Sequence, residues 1–154
     1  MNTESLKHMF GLNHYVIGVN ARDLSHQESL ACPEPGGNCA NWVLGHIVAT
    51  RAAVLGLVGE KHDWDAATID RYKRGSKPIT SQAAKPMPEL LEALDRSQER
   101  LVAGLSRLND QDLDKPAGDE TVGKKLATLQ FHEAYHAGQL GILRRVAGKT
   151  GAIK

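Results

Sequence analysis

Two histidines, His132 and His136, fall on the apolar stripe of the last long helical segment, and this placement constrains the fold more than any other feature. Val122, Leu126, Leu129, His132, His136, Leu140, Leu143 and Val146 recur there at helical period. Residues four apart on a helix share a face, with Cβ atoms roughly 5–6 Å from each other. The pair therefore points toward whatever the helix packs against, where leucines would be expected. An unpartnered polar group in such a place costs roughly 1–3 kcal/mol. A metal ion shared by both rings would satisfy them together.

The rest of the chain supplies three further helices and no lasting period-two pattern, so the fold class predicted is all-α. The first helix runs from about Thr3 to Leu24, with Leu6, Phe10, Asn13 or His14, Ile17, Ala21 and Leu24 inward. The loop Cys32-Pro33-Glu34-Pro35-Gly36-Gly37-Asn38 then turns the chain. A second helix, capped by Asn38 or Asn41, reaches about Val58 with Trp42, His46, Ala49, Ala53 and Leu57 inward. Pro88 opens the third, with Leu91, Leu94, Gln98 or Leu101, Leu105 and Leu108 inward. The fourth spans about Thr121 to Val146. These predict a four-helix bundle in one domain, 1–154. The connection from Glu60 to Met87 is long enough to cross from one end of the bundle to the other.

By the same periodicity His46 is inward on the second helix. Alone, such a histidine is more often a packed core residue than a ligand. Beside the in-phase pair it becomes the third ligand, and three histidines with an open position make a catalytic rather than a closed structural site. Nitrogen ligands suit zinc, nickel, copper or iron, so the spacing does not identify the ion; the expectation is zinc or nickel, and iron after them. The string His132-Glu133-Ala134-Tyr135-His136 also reads as H-E-x-x-H, in which zinc proteases use the glutamate as a base. No His, Asp or Glu follows His136, so the usual third ligand of that class is missing. A di-iron carboxylate site needs inward glutamates, and none falls on the four stripes. Glu133 and Gln139 remain candidates for catalytic roles beside the metal, as second-sphere groups or as ordinary polar residues. His14 either lines the pocket or is a satisfied core or surface histidine. His8, His26 and His62 read as surface residues, and Trp42 as core packing.

Nineteen Lys and Arg against 18 Asp and Glu give a net charge of +1, which argues against nucleic acid as a partner. The apolar run Val43–Val58 is interrupted by His46 and Arg51, too polar for a membrane span. Met1–Phe10 shows no signal-peptide pattern, so a cytoplasmic location is expected. Cys32 and Cys39, not in C-x-x-C spacing, read as ordinary reduced thiols.

The stretches Pro35-Gly36-Gly37-Asn38, Asn41-Trp42-Val43-Leu44-Gly45-His46-Ile47 and His132-Glu133-Ala134-Tyr135-His136-Ala137-Gly138-Gln139-Leu140 together resemble the DinB/YfiT-like superfamily. Arg71-Tyr72-Lys73-Arg74-Gly75-Ser76 and Leu143-Arg144-Arg145-Val146-Ala147-Gly148 extend the likeness over nearly the whole chain. The resemblance implies a four-helix bundle, often a homodimer, with a metal held by His46, His132 and His136. It also implies, for some members, reactions of low-molecular-weight thiols. The expected function is thus a metal-dependent enzyme, a thiol S-transferase acting on a small electrophile. The alternatives are a metal-dependent hydrolase and a non-catalytic, metal-binding dimer of stress response.

Overall fold

A computed structural model of the chain describes residues 2–153. Its elements are α1 (Thr3–Ala21), α2 (His26–Ser29), α3 (Ala40–Leu57), α4 (Ala66–Tyr72), α5 (Met87–Arg107) and α6 (Val122–Val146). A 3-10 turn, Asp110–Asp114, and two short paired strands, β1 (Pro116–Ala117) and β2 (Glu120–Thr121), lie between α5 and α6. The all-α expectation therefore holds. The short α4 sits within the connection from Glu60 to Met87, and α2 falls between the first predicted helix and the loop at Cys32; one or two turns are too brief to establish a helical period.

Local chemistry sets most helix starts. Asn2 accepts from the Ser5 amide at 2.8 Å, Asp65 from that of Thr68 at 2.8 Å, and Thr121 from that of Lys124 at 3.3 Å. Pro88 stands in the first turn of α5, as expected. The start of α3 differs. Cys39 occupies the cap without a side-chain bond, and Asn41 lies inside the helix, fully buried. There the Asn41 amide donates to the Lys85 carbonyl at 2.9 Å and its oxygen accepts from the Tyr72 hydroxyl at 3.2 Å. Asn41 thus ties α3 to the excursion between α3 and α5.

Both α1 and α3 pack against α5 and α6. Contacts fix the directions. Asn13 reaches Gln130 and Asn20 lies beside Gly141, so α1 and α6 run parallel. Asn41 meets Met87, Arg51 meets Gln98 and Val58 meets Gly104, so α3 and α5 run parallel too. Two consecutive long helices pointing the same way require a connection that travels back along the molecule. The 58–86 segment makes that crossing, the use its length permitted.

The core has two apolar halves. One gathers Ile17, Leu44, Ile47, Val48, Tyr72, Leu90, Leu94 and Leu140, the other Leu6, Phe10, Val54, Leu55, Leu101, Leu105 and Leu126. A buried polar layer involving Arg51, Glu133 and Gln98 joins α3, α5 and α6. The sequence stripes shift accordingly. Arg51 is wholly buried while Ala53 is exposed, and Leu90 replaces Leu91 as the buried leucine of α5. On α6 the stripe turns toward Glu133, which is buried, leaving His132 half-buried. Stripes drawn through apolar residues alone miss a charge that enters the core in company.

By length and composition α3 could cross a membrane, but most of it is buried within the fold. Both cysteines are free thiols, with Cys32 exposed and Cys39 buried. Burial pushes the Cys39 thiol pKa up, which suits an inert core thiol.

Candidate metal centre

His46 on α3 and His132 and His136 on α6 come together at one point, as the sequence placed them. The Nε2 atom of His132 lies 3.2 Å from that of His46 and 3.1 Å from that of His136. Around a zinc-type ion at about 2.0–2.1 Å, tetrahedral nitrogens would stand about 3.3–3.4 Å apart. The observed spacing is close to that value.

The outer nitrogens decide what these contacts are. The Nδ1 of His46 is 2.8 Å from the Tyr72 carbonyl, which can only accept, so His46 carries its hydrogen on Nδ1. The Nδ1–H of His136 donates to Gln139 Oε1 at 2.7 Å, and the Gln139 amide donates onward to the Tyr135 hydroxyl at 3.2 Å. Both rings therefore turn an Nε2 lone pair toward His132. His132 has at most one Nε2 hydrogen to give, so at least one of the two contacts has no hydrogen between its nitrogens. A cation among the three removes the conflict. Outer nitrogens bonded to a carbonyl and an amide are the usual support of metal-bound imidazoles. The third support is missing: His132 Nδ1 is buried without a hydrogen-bond partner among the described residues.

Burial lowers the pKa of all three histidines. For His136 it falls to about 4, with the Gln139 bond opposing the shift and the other two rings adding to it. At His46 the Tyr72 carbonyl opposes the effect of burial. At His132 the charges of His46 and Arg74 add to it. Neutral imidazoles are the form that binds metal.

The excursion between α3 and α5 builds the supporting wall. Tyr72, fully buried, lies flat against Gly45: a Cβ there would be 2.2 Å from the tyrosine ring. The approach delivers the Tyr72 carbonyl to His46. The Tyr72 hydroxyl accepts from the Lys85 amide at 2.8 Å, fixing the far end of the same segment. Trp42 stacks on His46 at 4.8 Å between ring centroids and donates its indole N–H to Ser76 Oγ at 2.9 Å. Trp42 is thus packing, as read, but packing that orients a candidate ligand.

The triad opens onto a cleft of about 670 Å³, whose lining includes Asn38, Trp42, Arg74, Tyr135 and Gln139. Gln139, a candidate from sequence, lies in it. Glu133 does not line it. Both Glu133 carboxylate oxygens are bound by Arg51, so the structure does not bring that residue to the metal centre as base or second-sphere group. The reading that no glutamate points inward is corrected as well: Glu133 is inward, neutralised by an arginine. His14 lies outside the cleft, paired with Asp95 at 2.7 Å. His62 is half-buried rather than on the surface, its Nε2–H donating to the Val48 carbonyl at 2.9 Å. The sequence reading missed Tyr72, Ser76 and Arg74 as members of the site. Gly45, an isolated glycine inside an apolar helix beside His46, was the available signal of a close approach.

An all-α chain with three histidines closing on one point fits a metal-binding protein. The chain matches the DinB superfamily over residues 20–140, and it belongs to that superfamily. No curated protein matches it. A similar solved structure is the crystal structure of the conserved protein of locus from Enterococcus faecalis. The likeness has a TM-score of 0.75 and covers 96% of this chain and 98% of that one. At 14% identity it shows the fold alone.

Proposed function

We propose that the protein is a metal-dependent enzyme acting on a small molecule in the cleft, with His46, His132 and His136 as metal ligands. One observation carries this reading: three Nε2 atoms converge beside an open cleft, two of them with lone pairs fixed by bonds at the opposite ring nitrogen. Three protein ligands leave a position free for a further ligand, whereas closed structural sites use four. A divalent ion there, zinc or nickel first and iron next, supplies Lewis acidity that lowers the pKa of a thiol or of water. The chain's own residues hold the rings in one tautomer, cover one face of His46 with Trp42, and present the polar ends of Tyr135 and Gln139 to the cleft.

The reaction we favour is transfer of a low-molecular-weight thiol to an electrophilic small molecule. Membership of the DinB superfamily and a cleft that mixes apolar walls with polar groups support it. In this reading the four long helices form a four-helix bundle, residues 1–154 are one domain, and the protein works as a cytoplasmic homodimer. Exposed Phe131 on α6, outside the cleft lining, offers apolar surface for such a partner.

The test is turnover of 1-chloro-2,4-dinitrobenzene by zinc- or nickel-loaded protein, with bacillithiol, mycothiol or glutathione. Rates above the uncatalysed reaction that need both thiol and metal support the transferase. Metal-dependent ester hydrolysis without thiol would replace it with the hydrolase. Loaded protein inert to both would leave a non-catalytic metal-binding protein.

A further inference from the structure

The residues flanking Arg74 are tied down. Tyr72 is locked against Gly45, and Ser76 accepts the Trp42 indole bond. The cations beside it are engaged elsewhere, Arg71 with the Ala83 carbonyl at 3.0 Å and Lys73 with Asp70 at 2.9 Å. Arg74 lines the cleft and makes no ion pair or hydrogen bond among the described residues. No Asp or Glu lines that cleft, so nothing in its wall neutralises the guanidinium. Pro33, Val43, Ile142 and Leu143 give the cleft an apolar portion.

We infer that Arg74 is the specificity-determining residue of the cleft, pairing with a carboxylate on the small molecule whose reactive atom lies at the three-histidine centre. A guanidinium fork matches a carboxylate in two parallel hydrogen bonds, which favours a planar anion over a neutral group of the same shape. The ligand class is therefore amphiphilic, an apolar body with a carboxylate end. The carboxylate belongs either to the electrophile or to the thiol. The inference rests on the cleft being the ligand site proposed above.

Two probe pairs separate these sources: 3-phenylpropionate with its amide, and glutathione with its diethyl ester. Binding is read from the Trp42 indole N–H signal in two-dimensional nitrogen–proton spectra of the full chain, without metal and again with zinc. In metal-free protein at least one acid should bind about tenfold more tightly than its neutral counterpart. Arg74→Gln should bring that acid down to the level of the neutral compound, whose own binding stays unchanged. Arg74→Lys should keep part of the preference. The pair that shows the preference names the source. Equal binding of acid and neutral compound, a preference that survives Arg74→Gln, or no binding of either acid would overturn the inference. Reading the effect without metal keeps it separate from failure of the metal site, which the zinc arm reports.

Discussion

Arg51 and Glu133 form a two-pronged ion pair in the core, with Arg51 Nε and Nη2 at 2.5 and 2.8 Å from the two carboxylate oxygens. Their side chains are 0% and 4% exposed. The pair joins the two helices that carry the histidines, and Glu133 directly follows His132 in the chain. Gln98 accepts from the same Nη2 at 2.9 Å, and the guanidinium lies 5.2 Å from the Phe10 ring centre. A close register of α3 on α6 is thus held next to the three histidines by a charge pair that does not line their cleft.

Removing one member leaves a buried charge alone, at a cost of about 3–5 kcal/mol. Glu133→Gln should therefore lower unfolding stability by that order in urea titrations. The double variant Arg51→Met/Glu133→Leu should recover much of the loss, because an apolar pair of similar volume needs no compensation. A Glu133→Gln protein within 1 kcal/mol of the parent would show that the pair does not anchor the core.

Gly45 and Tyr72 give a second test. In Gly45→Ala the new methyl meets the tyrosine ring, so the ring must move and take its carbonyl away from His46. Metal affinity should drop about 10–100-fold, the usual effect of losing an outer partner. Tyr72→Phe keeps ring and carbonyl and loses only the hydroxyl bonds to Asn41 and Lys85. It should cost about 1–2 kcal/mol of stability and leave metal affinity near the parent value. Isothermal titration with zinc distinguishes the two, and equal affinities would remove Tyr72 from the account.

Gln139 should act on His136 in the same manner. Gln139→Leu removes the acceptor that fixes the Nδ1–H, so zinc affinity should fall by about tenfold or more. Gln139→Glu keeps an acceptor at this position and should preserve binding. If Gln139→Leu binds zinc like the parent, the hydrogen bond does not position the ring.

Acid should destabilise the metal-free protein in a defined window. The three histidines have folded pKa values below the ordinary 6.5, with that of His136 at about 4. Between those limits the unfolded chain binds more protons than the folded one, so stability falls as pH drops from about 6.5 toward 4. Asp23 and Asp95 add to the loss only at lower pH. Arg144 holds the first below the usual carboxylate range, and Arg22, aided by His14, the second. Their contribution is full above about pH 4 and fades as pH falls through the folded values. Urea midpoints that stay flat from pH 6.5 to 4.5 would contradict the burial of these rings.

The four long helices and the three histidines were legible in the sequence because each leaves a periodic trace. His46, His132 and His136 announce themselves by taking positions that leucine would hold. Arg51 and Glu133 gave no such trace: a charge on a helix reads as solvent-facing until its partner is known, and theirs lies on another helix. Arg74 and Ser76 sit beyond a helix of only seven residues in an aperiodic crossing, and the Tyr72–Gly45 contact sets where they fall. Long-range pairing of this kind is written in three dimensions, and local spacing does not encode it.

The measurement that bears most directly on the metal centre is elemental analysis of the purified, untagged protein beside His46→Ala and His132→Ala/His136→Ala. Near-stoichiometric metal is expected in the parent, with its loss in both variants. A parent protein that stays metal-free after incubation with zinc, nickel and iron would contradict it, and the three histidines would then be polar residues of the core.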